Sequence, residues 1–201
     1  MTAINGRSVL VIGIAGSPRR QGNSELLLDT VLEGARVKGA TVEKIVLAGF
    51  KINPCRGCDY CRSGQCIQRD DMDLLGPRLE QAAALVIASP IFFYGVPAQL
   101  KAMIDRSQVY WNRKYRLGKP IDREPGRNLG ALIAVGATRG EKLFTGAILT
   151  IKYFFNALNL DYTRELLVRG VDASGAIREH PEELAAAFKM GQDLVIPITG
   201  L

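Results

Sequence analysis

Histidine is almost missing from this chain of 201 residues, where His180 stands alone and is followed by Pro181. That scarcity excludes metal sites built on several imidazoles and argues against a Ser-His-Asp hydrolase. Because proline suits a first helical turn, His180 reads as a helix boundary. Long apolar runs are missing too. The longest, Ala82–Ala98, is broken by Ser89, Pro90, Gly95 and Pro97, so no membrane-spanning helix is expected. The opening stretch MTAINGRSVLVIGIAG lacks a basic head followed by an apolar segment and a small-residue cleavage site. We therefore expect a cytoplasmic protein with no membrane partner.

No block of one charge dominates. The 26 Lys and Arg are spread among 20 acidic residues, giving a net charge of +6. Such a surface favours small anions or acidic partners over nucleic acid. The basic stretch Arg113, Lys114, Arg116, Lys119, Arg123 and Arg127 reads as a solvated loop, with contact to a dinucleotide phosphate or an acidic partner as the alternative. With 47% hydrophobic and 23% charged residues the composition is that of a packed globular protein.

What is present is alternation. Ser8–Ala15 (SVLVIGIA) is a β-branched, apolar run without period-two alternation, as expected for a strand covered on both faces. Asn23–Lys38 follows with Asn23 and Ser24 as possible N-caps, Glu25 in the first turn and apolar residues at helical spacing. Thr41–Leu47, Leu85–Ser89, Leu129–Val135 and Tyr162–Val168 read as further strands. Helical patterns at Met72–Ala83, Pro97–Tyr110, Glu141–Leu158 and Pro181–Val195 separate or follow them. Five β-α units predict a doubly wound, five-stranded parallel sheet in a three-layer α/β/α domain spanning residues 1–201. Two connections are long, 48–71 and 111–127, and the first reads as a Cys-rich insertion.

The turn after the first strand carries chemistry. Gly13, Gly16 and Gly22 let the backbone approach a ligand, while Ser17, Asn23 and Ser24 offer hydrogen bonds at a helix N-terminus. Ala15 replaces the middle glycine of G-x-G-x-x-G, and the lysine of a Walker loop is missing. A mononucleotide phosphate fits better, with Arg19 as an added donor.

GSPRRQGNS, residues 16–24, resembles the phosphate loop of the NADPH-dependent FMN reductase group of flavodoxin-like proteins. SPIFFYGVPAQLK, residues 89–101, resembles that group's second flavin loop. The resemblance implies FMN as cofactor, bound by Ser17, Arg19, Gly22, Asn23, Ser24 and by Pro90, Ile91, Phe92, Phe93, Tyr94 and Gly95. The aromatics also admit a reading as core and rim packing. Thr138 and Arg139, after the fourth strand, read either as facing the flavin or as a solvated turn. No side chain is assigned as catalytic, because the flavin carries the chemistry.

All four cysteines fall within one stretch, Cys55-x2-Cys58-x2-Cys61-x4-Cys66. Such spacing lets thiolates face a common concavity and hold a [4Fe-4S] cube, with Gly57 and Gly64 permitting the winding. Free or redox-active thiols and zinc stay open as alternatives, although structural zinc sites separate two Cys pairs by a long spacer. The motif resembles that of the iron-sulfur flavoproteins, a branch of the same group. That likeness implies an FMN and a cluster exchanging electrons, in a homodimer or homotetramer served by small-molecule or redox-protein donors and acceptors. Two rivals remain: a cluster-free NAD(P)H-dependent FMN or quinone reductase, and a zinc-stabilised binding module. Asp70 and Asp71 read as caps of the helix that follows, with metal binding as the alternative.

Overall fold

A computed structural model describes residues 8–195, so the leader reading of the first seven residues falls outside it. Five strands form one parallel sheet: β1 (Leu10–Ala15), β2 (Thr41–Val46), β3 (Ala84–Pro90), β4 (Leu129–Gly136) and β5 (Asp161–Arg169). Their order is β2-β1-β3-β4-β5, the flavodoxin-like winding. The central strands are buried on both faces, which is why β1, β3 and β4 read as unbroken apolar runs.

Successive side chains point to opposite helix layers. Val11, Ala15, Val86, Ala88 and Ile133 pack towards α1 (Asn23–Val37) and α6 (Pro181–Asp193). Ile12, Ile14, Leu85, Ile87 and Leu132 pack instead with residues of α2 (Met72–Gln81), α3 (Ala98–Arg106) and α5 (Thr145–Ala157). The α1 and α6 backbones press together at Gly34 and Gly191; a Cβ on Gly191 would lie 1.9 Å from the Val31 carbonyl oxygen. Any larger residue there would push the two helices apart.

One expected helix, Pro97–Tyr110, is two. Ser107 ends α3 by donating its hydroxyl to the Met103 carbonyl, and α4 (Gln108–Tyr115) begins after it. α4 runs on into the stretch read as loop because Trp111 packs on Tyr115 one turn later, at 5.4 Å, and Asn112 is buried. No described helix is long and apolar enough to cross a membrane.

Candidate functional site

In this winding the chain leaves β1 and β3 towards opposite layers, which opens a crevice at their carboxyl ends. A cleft of about 120 Å³ lies there, lined by Ser17, Arg19, Gly22, Asn23, Ser24, Pro90, Ile91, Phe92, Val135, Ala137, Val171, Asp172 and Ser174. That volume falls below the roughly 300–1,000 Å³ of a pocket enclosing a whole ligand of drug size. It suits one polar end, with the rest of a ligand on the open rim.

The loop after β1 is tied to β3 by the Gly16 N–H, which donates to the Ala88 carbonyl at 2.8 Å. α1 has no side-chain cap, and its first turn closes with the Leu26 N–H donating to Gly22. The N–H groups of its opening residues therefore have no acceptor within the helix. Below them sits Glu25, whose side chain is only 2% exposed. Glu25 Oε2 accepts the N–H of Gln21 at 2.7 Å, holding that residue at a φ of 54°. A buried carboxylate so near an anion cradle would repel its ligand if left unpaired. Lys44 Nζ neutralises it at 3.1 Å, with Arg20 at 3.4 Å. Burial alone would raise the Glu25 pKa, but the Gln21 N–H, Lys44 and Arg20 together hold it below the ordinary value of 4.5.

Asn23 lines the cleft with its side chain already engaged. Its Nδ2 donates to the Ala173 carbonyl at 2.9 Å and its Oδ1 accepts the Ile177 N–H at 3.2 Å. It thereby anchors the loop after β5, which brings Val171, Asp172 and Ser174 to the cleft. Those three had no place in the sequence reading. The available signal was positional: their loop leaves the same carboxyl edge as the glycine-rich one, between Gly170 and Gly175, both at positive φ.

After β3, Pro90, Ile91 and Phe92 form one wall. The chain then folds into a two-residue hairpin in which Phe92 and Gly95 exchange both backbone hydrogen bonds, at 2.9 and 3.0 Å. Phe93 and Tyr94 occupy its tip at φ 49° and 62°, a region aromatic residues rarely enter. Gly146 on α5 admits the Tyr94 carbonyl so closely that a Cβ there would lie 2.7 Å from it. Phe93 is fully exposed, and Phe93, Tyr94 and Gly95 stand beyond the cleft lining. Thr138 and Arg139 also lie outside that lining: the Thr138 carbonyl accepts the Gly170 N–H, and the Arg139 guanidinium covers Gly170.

The four cysteines occupy the connection between β2 and α2, wound through positive φ at Gly57, Asp59 and Gly64. Cys55 and Cys58 are exposed, Cys61 and Cys66 half-buried, and all four are free thiols. Burial, and then the charges of Cys55, Cys66 and Cys58, push the Cys61 thiol up. Among the described residues, no three His, Cys, Asp or Glu side chains converge tightly enough to hold a metal ion. The stems of the loop are clasped by Asp70, whose Oδ2 accepts the Asn53 N–H at 2.9 Å and pairs with buried Arg106, while Oδ1 accepts the Met72 N–H. Asp71 makes no side-chain cap and instead accepts the Lys51 N–H. Helix capping thus explains only part of Asp70 and none of Asp71.

Residues 9–152 match the family model of the NADPH-dependent FMN reductases. The chain belongs to that family. Among curated relatives, an iron-sulfur flavoprotein of Archaeoglobus fulgidus is 43% identical over 54% of this chain and 50% of its own length. One from Methanocaldococcus jannaschii is 39% identical over 64% of this chain and 63% of its own. The match thus spans half to about two thirds of those relatives. Among solved structures, an NAD(P)H:quinone oxidoreductase from Methanothermobacter marburgensis superposes with a TM-score of 0.71 over 94% of this chain and all of that one, at 22% identity, a likeness of fold.

In this FMN reductase family member the basic stretch from Arg113 to Arg127 is far from a plain solvated loop. Arg113 pairs with Glu80, Lys114 donates to the Asn156 carbonyl, and Arg116 stacks on Trp111. The Arg123 guanidinium donates to the carbonyls of Leu79, Ala82 and Leu158, closing the ends of α2 and α5. Burial lowers its pKa to about 10. Arg123, read as part of a solvated loop, is spent on helix ends. His180 precedes α6 as expected, with Pro181 in the first turn and Glu183 at 3.7 Å.

Proposed function

We propose that this chain is an FMN-dependent oxidoreductase in which FMN sits with its phosphate at the β1–α1 loop and its ring against Pro90–Gly95, and in which the four cysteines hold a [4Fe-4S] cluster. The observation that carries the flavin assignment is the uncapped α1 N-terminus opening into a small cleft beside Arg19 and Ser17. A phosphate dianion needs donors without its own metal, and backbone N–H groups with one guanidinium provide them. The cleft fits that end and leaves a flat ring on the rim, where Phe92, Phe93 and Tyr94 are exposed.

FMN, when bound, supplies hydride and single-electron chemistry, and the protein supplies binding, orientation and electrostatics. Glu25 shapes the loop while Lys44 cancels its charge. Asn23 fixes the loop that carries Asp172 and Ser174. For the cluster the donor set is right, with four thiols on one short loop whose stems are already closed by Asp70. Family membership and the iron-sulfur flavoproteins among its relatives support this reading. NAD(P)H or a redox protein serves as donor, a small molecule or second redox protein as acceptor, and the protein works in the cytoplasm. Exposed Phe93, Leu149 and Tyr153 support a homodimer or homotetramer.

The spread of the thiols favours a second reading, a cluster-free NAD(P)H-dependent FMN or quinone reductase. Iron, acid-labile sulfide, zinc and FMN content of anaerobically purified protein separates the two. About four irons and four sulfides with one FMN per chain are expected. FMN without metal selects the plain reductase, and zinc without flavin selects a metal-stabilised binding module.

A further inference from the structure

Two buried side chains lie beneath the cysteine loop, and only the pairing of one of them, Arg106, with Asp70 has been described so far. Arg106, at the end of α3, is 3% exposed. Its Nη1 donates to the Asn53 carbonyl at 3.0 Å and to Asp70, and its Nη2 donates to the Gln68 carbonyl at 3.2 Å. One guanidinium thus joins the strand of chain just before Cys55 to the strand just after Cys66. Its Nε is buried and has no acceptor. An uncompensated buried N–H costs free energy unless an acceptor arrives.

Asn112, on α4, is also 3% exposed. Its Nδ2 donates to the Gln108 carbonyl at 3.0 Å and to Cys61 Sγ at 3.3 Å. The Gln108 oxygen only accepts, so the amide must turn its nitrogen towards it, and the second proton then faces the sulfur. The two side chains come from consecutive helices, Arg106 holding the stems of the loop and Asn112 reaching Cys61.

We infer that Arg106 and Asn112 are the positioning residues of the four-cysteine site: Arg106 clasps the stems of the loop, and Asn112 donates an N–H to the Cys61 sulfur. The inference deepens the cluster reading and rests on it for its second half. Hydrogen bonds to ligand sulfurs are among the determinants of an iron-sulfur potential, because they stabilise the extra negative charge of the reduced state. The Asn112 donor therefore makes a bound cluster easier to reduce.

The test uses the full chain in three forms: wild type, Arg106→Lys and Asn112→Leu. Hydrogen exchange on cluster-free protein reads the clasp alone. In Arg106→Lys the amide of Asn53 and its neighbours through residue 70 should exchange about tenfold faster or more, with α1 and the sheet unchanged; unchanged exchange overturns the clasp. On anaerobically purified holoprotein, a redox titration followed by electron paramagnetic resonance reads the sulfur donor. Asn112→Leu should keep its iron and sulfide while the cluster midpoint moves to lower potential, and Arg106→Lys, which loosens the stems, should lose some iron. An Asn112→Leu cluster that titrates with wild type overturns the donor role, since a merely structural side chain would not move the potential. Wild type without iron and sulfide sinks the cluster reading and the donor role with it, and the exchange experiment then decides the clasp by itself.

Discussion

The phosphate loop and the cysteine loop hang from neighbouring strands and are organised around the same device. In each, a carboxylate below the loop accepts backbone N–H groups from it and is held charged by basic partners: Glu25 with Lys44 and Arg20, Asp70 with Arg106. The outcomes differ. The β1–α1 loop is short, and its ligand-facing groups are main-chain N–H groups whose directions follow from the helix itself. The β2–α2 loop is long, and its chemistry resides in side chains at the far end, with only the stems clasped. A site made of backbone is complete once the fold forms. One made of thiols on a long loop is not gathered by the fold alone.

The largest test of that contrast removes one member of the buried pair. Asp70→Ala leaves the Arg106 guanidinium buried without its counter-ion and three N–H groups, from Asn53 (backbone and side chain) and Met72, without an acceptor. Breaking such a pair from one side costs about 3–5 kcal/mol, measured by urea unfolding. FMN affinity of the chains still folded should stay at the wild-type value. A loss under about 1 kcal/mol would show the clasp to be ornamental, on the scale of an exposed pair.

How much of this was readable from residues alone follows the same division. The sheet, its five strands and the glycine-rich turn were legible because β1, β3 and β4 are covered on both faces and so carry continuous apolar runs. The break at Ser107 was hidden, since apolar residues keep helical spacing across it and the stop is one hydroxyl bond to Met103. Arg106 and Asp70 were opaque for a deeper reason. Each looks like a surface residue of a helix or a cap, and their meeting across 36 positions exists only in three dimensions. Asp172 and Ser174 escaped likewise, because Asn23 spends its side chain on bringing their loop to the cleft.

A smaller effect is expected on the other loop. Glu25→Ala deletes the acceptor of the Gln21 N–H and frees Lys44 and Arg20 of their buried partner, while Lys44 keeps Asp29 at 2.7 Å. One part-buried N–H left without its acceptor sets the scale at about 1 kcal/mol of stability. FMN affinity should drop roughly tenfold as the cradle loses its shape, equal to about 1.4 kcal/mol. Calorimetric titration with FMN reads the second quantity. Asp70→Ala and Glu25→Ala would then sort oppositely, one towards stability and the other towards flavin binding. Smaller again is the hairpin tip. Tyr94→Gly removes a side chain from a backbone region that costs an L-residue about 1–2 kcal/mol. Part of that gain returns as extra freedom of the unfolded chain, so a net stabilisation of under about 1 kcal/mol is expected in thermal unfolding. Weaker FMN binding should accompany it if the tip borders the ring.

The finest discrimination is by pH. Because the Glu25 pKa lies below 4.5 in the folded protein, the unfolded chain takes up this proton first as pH falls. Its stabilising contribution is therefore complete above the ordinary carboxylate value and drains away as pH drops from there through the folded-state value. Wild type should lose stability more steeply than Glu25→Gln across that acid window and run parallel to it at neutral pH. The same window should weaken FMN binding in wild type beyond what protonation of the ligand's own phosphate produces, because a neutral Glu25 holds Gln21 less firmly and releases Lys44. Parallel curves for wild type and Glu25→Gln below pH 4.5 would mean that the phosphate loop keeps its shape without the charge beneath it, and that the two carboxylates are not performing the same task.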